Sequence, residues 1–254
     1  MERKGILGVP IDILSKDDAI RHVTAFCRSQ GQFHIATPNP EMLVEATKNP
    51  QFKNVLQRTS LNIPDGIGLV WAMKRGQCGA TQPTRITGTD LLQRIASSES
   101  RLCPPEKIFL LGAAPGIAER AADALRVLNP SIKEIGVWSG SPSKADEEEI
   151  VRRINAFSPT LLFVAFGAPA QDLWIARNLT KLPCIKIAMG VGGAFDFLAG
   201  KRRRAPQWMQ KGGIEWLWRL ACEPRRIGRI LNAVIVFPLL VLTEKKRHRE
   251  DCSR

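Results

Sequence analysis

The sequence predicts an α/β fold: a Rossmann-like, mostly parallel sheet with helices on both faces, followed by a basic helical C-terminal appendage. Three observations predict it. Short apolar runs alternate with amphipathic stretches over the first 200 residues, the pattern of β-α units built into a parallel sheet. Leu161 to Phe166 is apolar at every position, as expected of a strand covered on both faces. Beyond residue 200 the chemistry changes. Residues 201–254 carry 14 Lys/Arg against 5 Asp/Glu, so nine of the thirteen net positive charges lie there. The expected division is an α/β domain over residues 1–200 and an appendage over residues 201–254.

The elements follow in order. Ile6 to Leu14 reads as a strand. Ser15 caps the next helix, with Asp18 placed to close a capping box. Phe33 to Ala36 is a short buried strand. Asn39 is a natural N-cap and Pro40 suits the first helical position; a second helix follows Pro50. Asn62-Ile63-Pro64 is extended, Asp65-Gly66 turns, and Gly68 to Lys74 is helical. Gln77 to Pro83 is loop. Arg85 to Asp90 is a short extended piece entering a helix at Leu91, with Thr89 as the candidate cap. Lys107 to Leu111 is a strand, Gly112 to Gly116 a small-residue turn, and Ile117 to Leu128 a helix with one apolar face. Ile132 to Trp138 is a strand. Ser143 to Phe157 is a helix with acids in its first turns, which suits the helix dipole. Gly167-Ala168-Pro169 turns into a helix through Leu179, and Cys184 to Met189 is the last strand of the sheet.

Composition excludes several classes. With 254 residues and 44% hydrophobic content the chain can bury a substantial core. Its six cysteines are scattered, with no Cys-x-x-Cys, which argues against a zinc site and a disulfide framework. Met1 to Lys4 leads into a short run broken by Pro10 and Asp12, unlike a signal peptide, so a cytoplasmic location is expected. A basic tail points to a phosphate-rich partner. Nucleic acid is not that partner: no recognition motif is present and Tyr is absent.

The candidate site lies where strands end. Thr37 and Asn39 follow the Phe33 strand, and ligands of open parallel sheets bind outside the carboxyl ends of the strands. Asp65 stands on a Gly-flanked turn at the same edge. From spacing alone Asp65 is a turn residue or helix cap, since Asp-Gly is a common turn pair. The Gly112 turn is a weak phosphate signal. It lacks the Gly-x-Gly-x-x-Gly fingerprint, and tight strand–helix packing explains it equally well. There is no P-loop and no Asp-x-Asp, so a departing diphosphate would need cations from the protein. Gly190 to Phe197 leads to Lys201-Arg202-Arg203-Arg204, and Arg219, Glu223 and Arg226 share a face if the helical path continues through Pro224. Arg225 and Arg229 make a further pair. Ile230 to Leu242 is apolar except for Asn232, and Lys245-Lys246-Arg247 closes it. These thirteen residues are too few to span a bilayer, and with Trp208, Trp216 and Trp218 they suit a membrane interface. A helical pair packed on the core with solvated charges is the alternative.

Taken together, the motifs resemble one family. Thr37-x-Asn39-x-Glu41-Met42, Pro64-Asp65-Gly66, Gly112-x-x-Pro115-Gly116 and Gly167-x-Pro169-x-Gln171 are similar to the WecG/TagA/CpsF glycosyltransferases (glycosyltransferase family 26). So are Gly190-Val191-Gly192-Gly193-x-Phe195-Asp196, Arg204-Ala205-Pro206 and Glu215-Trp216-x-x-Arg219-Leu220-x-x-Glu223-Pro224-x-Arg226. The resemblance runs from about Ile6 to Arg229. It implies a catalytic α/β domain that moves N-acetylmannosamine or a glucose-type sugar from a UDP-sugar donor to a polyprenyl-diphosphate-linked acceptor. Transfer would invert the anomeric centre without a metal or other cofactor, at the inner face of the plasma membrane, with the appendage on the anionic membrane surface. Asp65 resembles the family's general base, and Thr37 and Asn39 positions that orient the sugar or acceptor. Gly112 and Gly192 would contact the nucleotide, and Gln171 the nucleotide or the sugar. Arg219, Arg226 and Arg229 would neutralise the leaving diphosphate. Asp172 departs from the family, where Glu is commoner. A homo-oligomer stays open, as do two other readings: a nucleotide-dependent oxidoreductase, and a non-catalytic membrane-docked nucleotide-binding module.

Overall fold

The structure, a computed structural model, describes residues 2–75, 82–97, 107–132, 134–202, 205–212 and 214–251; at 207, 210, 211, 225 and 245–251 it describes the backbone alone. Residues 77–81 of the expected loop, together with Arg203 and Arg204, lie outside the described residues, as do the side chains of Arg225, Lys245, Lys246 and Arg247.

The chain opens on a hairpin of β1 (Arg3–Ile6) and β2 (Val9–Asp12), not on the single strand expected from Ile6 to Leu14. Leu7 and Gly8 both take positive φ, 53° and 75°, the requirement of a tight two-residue turn. Leu-Gly lacks the Asn-Gly signature, which hides the turn in the sequence. Arg3 Nε to Asp12 Oδ1, at 2.6 Å, holds the open end, and the second Asp12 oxygen accepts from the Asn62 N–H at 2.6 Å.

The sheet elements then alternate. They are α1 (Lys16–Arg28), β3 (Phe33–Ala36), α2 (Pro40–Lys48), α3 (Pro50–Arg58), β4 (Leu61–Asn62), α4 (Ile67–Lys74) and α5 (Gly88–Ala96). After them come β5 (Lys107–Gly112), α6 (Ile117–Leu128), β6 (Glu134–Trp138), α7 (Lys144–Phe157), β7 (Leu161–Ala165), α8 (Ala170–Asn178), β8 (Ile187–Gly190) and α9 (Ala194–Leu198). Ser15 and Asp18 form the expected capping box on α1. On α5 the cap is Thr87, whose Oγ1 accepts from the Asp90 N–H at 3.0 Å, rather than Thr89.

Six strands form one parallel sheet in the order β4-β3-β8-β7-β5-β6. Its strands alternate side chains between two cores. Ile108, Leu110, Phe163 and Met189 pack under α1, α5, α6 and α9. Phe109, Leu111, Val164 and Ala188 pack under α7 and α8 on the other face. All five residues of β7 are buried, as its unbroken apolarity requires. After β3 the chain turns toward the face that carries α2, α3 and α8; after β8 it turns to α9 on the other. A crevice therefore opens between the carboxyl ends of β3 and β8.

The appendage continues as α10 (Gln207–Gly212), α11 (Glu215–Cys222), a 3-10 turn at Pro224–Arg226, α12 (Ile227–Leu231), a π-turn at Asn232–Val236 and α13 (Phe237–Asp251). Phe237 and Val241 bury in the same core as Met42, Leu69 and Met73, and the Leu7 N–H donates to Glu244 Oε2 at 3.0 Å. The helical run is longer than the thirteen apolar residues suggested. Ile227–Glu244 is 18 residues with mean hydropathy 1.8, enough by length and composition alone to cross a membrane. At 1.5 Å per residue it spans about 27 Å, and one side of it is docked on α2 and α4.

Candidate active site

The crevice beyond β3 and β8 holds a cleft of about 700 Å³, within the ~300–1,000 Å³ usual for ligand sites. Two turns build its first wall. Asn39 Oδ1 accepts from the Met42 N–H at 2.9 Å and caps α2, which leaves the amide Nδ2 for a ligand. The Asp65 N–H donates to Pro38 O at 2.8 Å, so the Thr37–Asn39 turn and the Asp65 turn lie side by side. Gly66, at φ 94°, lets the second turn pass Pro40: a Cβ there would stand 3.1 Å from Pro40 Cδ. Asp65 is not spent as a cap, because the N-cap of α4 is Gly66 and the helix has no side-chain cap hydrogen bond. Its carboxyl faces the cleft instead, 23% exposed.

Arg85 is the residue that sequence reasoning missed. Its Nε lies 3.6 Å from Asp65 Oδ1 and its Nη2 donates to Glu215 Oε2 at 2.5 Å. The chain before α5 is fixed by the Ile86 N–H to Pro64 O bond, 3.0 Å. Burial raises the Asp65 carboxyl above the usual carboxylate range, against the opposing pull of Arg85 and Arg219, while Glu215 adds to the rise.

Gln171 and Gly192 form the floor as one unit. Gln171 Oε1 accepts from the Gly192 N–H at 2.9 Å, so its carbonyl braces the turn after β8. Gly190 permits this: a Cβ there would fall 2.6 Å from Gln171 Nε2. Asp172 points away from the cleft and meets His34 Nε2 at 3.3 Å, both side chains buried. Gly112 is outside the cleft. A Cβ on it would lie 2.9 Å from the Ala165 carbonyl carbon, so close strand packing explains that glycine.

The far wall is the appendage. Arg202, Arg219, Arg226 and Arg229 line the cleft. The helical path does not continue through Pro224, since Glu223 leaves it at φ −138° and ψ 73° and a 3-10 turn follows, yet Arg219, Glu223 and Arg226 all reach the cleft. Their partners are acids of the rim. Arg226 Nε meets Glu223 at 2.5 Å, Arg202 Nη1 meets Glu223 at 3.2 Å, and Arg229 pairs with Glu41. Burial and the crowding of Arg202, Arg229 and Arg219 hold the Arg226 guanidinium below its usual value. A half-buried group of like charges is a ready anion site. Among the described residues no three His, Cys, Asp or Glu side chains cluster as a metal site would require.

The family model described as "Glycosyl transferase WecG/TagA/CpsF family" matches residues 4–251. The chain belongs to this family. It is 31% identical over 249 residues, 95% of this chain and 93% of the relative, to an N-acetylglucosaminyldiphosphoundecaprenol N-acetyl-beta-D-mannosaminyltransferase of Staphylococcus aureus (strain MRSA252). It is 32% identical over 205 residues, 81% of this chain and 77% of the relative, to a protein of the same name from Bacillus spizizenii (strain ATCC 23059 / NRRL B-14472 / W23). This member of the WecG/TagA/CpsF family thus brings Thr37, Asn39, Asp65, Gln171, Gly192, Arg219, Arg226 and Arg229 to one cleft. The only sequence signal for Arg85 was a cation within a strand-like piece, because its partner Glu215 lies 130 positions away.

Proposed function

We propose that this glycosyltransferase moves a sugar, N-acetylmannosamine or a glucose-type sugar, from a UDP-sugar to polyprenyl-diphosphate-linked N-acetylglucosamine. The observation that carries it is the opposition of the Asp65 carboxyl, held beside Arg85, to four arginines across a single cleft. The relatives' names supply the substrate class: their acceptor is N-acetylglucosaminyldiphosphoundecaprenol and their product linkage is β. From an α-linked sugar nucleotide, a β product requires inversion. The acceptor hydroxyl attacks the anomeric carbon from the face opposite UDP. Its proton passes to Asp65 as the new C–O bond forms, and the electron pair of the breaking bond leaves on the UDP β-phosphate. A raised pKa makes Asp65 a better proton acceptor near neutral pH.

Thr37 and the Asn39 amide orient the reacting sugar or acceptor. Gln171 and Gly192 position the nucleotide side of the donor. Arg219, Arg226 and Arg229 neutralise the leaving diphosphate in place of a metal, and their acidic partners are displaced when it binds. The appendage rests on the inner face of the plasma membrane, where exposed Ile227, Leu231, Ile235 and Leu239 meet lipid beside the basic residues.

The test is a transfer assay with a polyprenyl-diphosphate-GlcNAc analogue and a panel of UDP-sugars, with and without EDTA. EDTA-resistant product from one donor supports the reading. EDTA-sensitive product removes the metal-free mechanism. Binding of UDP with no product from any donor points to a non-catalytic module.

A further inference from the structure

A second cavity, about 410 Å³, opens off the first. The two share Asp65, Arg85, Glu215 and the arginines at 219, 226 and 229. Lys201 and Arg202 face the first cavity only. Away from this shared neck the second cavity is apolar, walled by Ile67 and Trp71 of α4, Trp216 of α11, and Ile230, Ala233 and Pro238 of the last helical run. Ile67 is 41% exposed and Trp71 36%, so large apolar surface stands open to solvent on its walls. It runs out along the helix past Val234, which also lines it, beside exposed Leu231 and Ile235.

We infer that this groove holds the first prenyl units of the acceptor lipid, with the acceptor's own diphosphate at the arginine neck and the rest of the chain leaving toward the membrane along the last helix. The inference rests on the proposed function for the identity of the acceptor. Charge and shape commit it to one occupant. A ligand that fills both neck and groove must carry a concentrated anion joined directly to an apolar chain, which describes a prenyl diphosphate. The sugar beyond that diphosphate then falls in the larger cleft beside Asp65, where its hydroxyl must stand to be deprotonated. Two diphosphates meet at one cation cluster, so Lys201 and Arg202 serve the donor alone while the neck arginines serve the acceptor as well.

Titration calorimetry on the full chain tests this without turnover. The probes are inorganic diphosphate and geranyl, farnesyl and geranylgeranyl diphosphate, each below its aggregation concentration. Affinity should rise about tenfold per prenyl unit until the groove fills. Ala233→Trp, which fills the groove, should flatten the series and leave inorganic diphosphate unchanged. Ile67→Gln, at the open edge, should weaken the longer probes alone and serves if the first variant fails to fold. Equal affinity across the series, or a series unchanged in both variants, would overturn the inference. Length-dependent binding in a protein that transfers no sugar would keep the groove and overturn the proposed reaction instead.

Discussion

Arg85 donates from Nη2 to Glu215 Oε2 at 2.5 Å, and this pair ties the sheet domain to the appendage at the neck shared by the two cavities. The same guanidinium keeps its Nε 3.6 Å from Asp65 Oδ1. Burial raises the Asp65 carboxyl, and charges act on it from both sides: Arg85, from the loop before α5, and Arg219 and Glu215, from α11.

That arrangement predicts opposite pH shifts. With Asp65 as the proposed base the carboxylate is the active form, so kcat/KM should fall as pH drops through its raised pKa, at a higher pH than an ordinary carboxylate would give. Arg85→Met removes the largest opposing charge and should move this acid limb to higher pH. Glu215→Gln removes a carboxylate that raises the pKa and should move it lower. Shifts of the same sign in the two pH–rate profiles would contradict the assignment.

Gly190→Ala should lose about 1–3 kcal/mol of stability, because the new methyl meets the Gln171 amide and the side chain must move. The Gly192 turn then loses its brace. Denaturant unfolding and UDP binding measured together should both decline; weaker stability with unchanged UDP affinity would separate Gln171 from the nucleotide.

Phe237→Ala should cost about 3–5 kcal/mol, the usual penalty for emptying a buried aromatic site. Thermal unfolding reads it. An unchanged midpoint would mean that the last helix does not dock on α2 and α4 in solution. The same contact makes deletion of residue 201 onward a poor test of membrane binding, since it also uncovers core.

Ile235→Glu and Leu239→Glu, at positions 51% and 58% exposed, should instead weaken binding to anionic vesicles with no loss of thermal stability. Full vesicle binding by the double variant would contradict the proposed membrane face.

Much of the fold was legible because its signals are local. The Ser15–Asp18 capping box, the Asn39 and Ser143 caps and the apolar β7 run all sit where their residue types dictate. The failures have physical reasons. A Leu-Gly turn resembles continuous strand, and two threonines two residues apart compete for one cap. A glycine that lets two strands approach looks, in sequence, like one that cradles phosphate, which is why Gly112 was read as a phosphate turn although it does not line the cleft. Arg85 carried no motif; its meaning lies in Asp65 and Glu215, brought to it only by the fold.

The central claim, that Asp65 takes the acceptor proton, is tested most directly by Asp65→Asn under single-turnover conditions with UDP affinity measured in parallel. The predicted result is a fall in the transfer rate of about 10²–10⁴-fold with UDP binding nearly intact. Near-normal transfer in that variant would contradict the claim and remove Asp65 as the base.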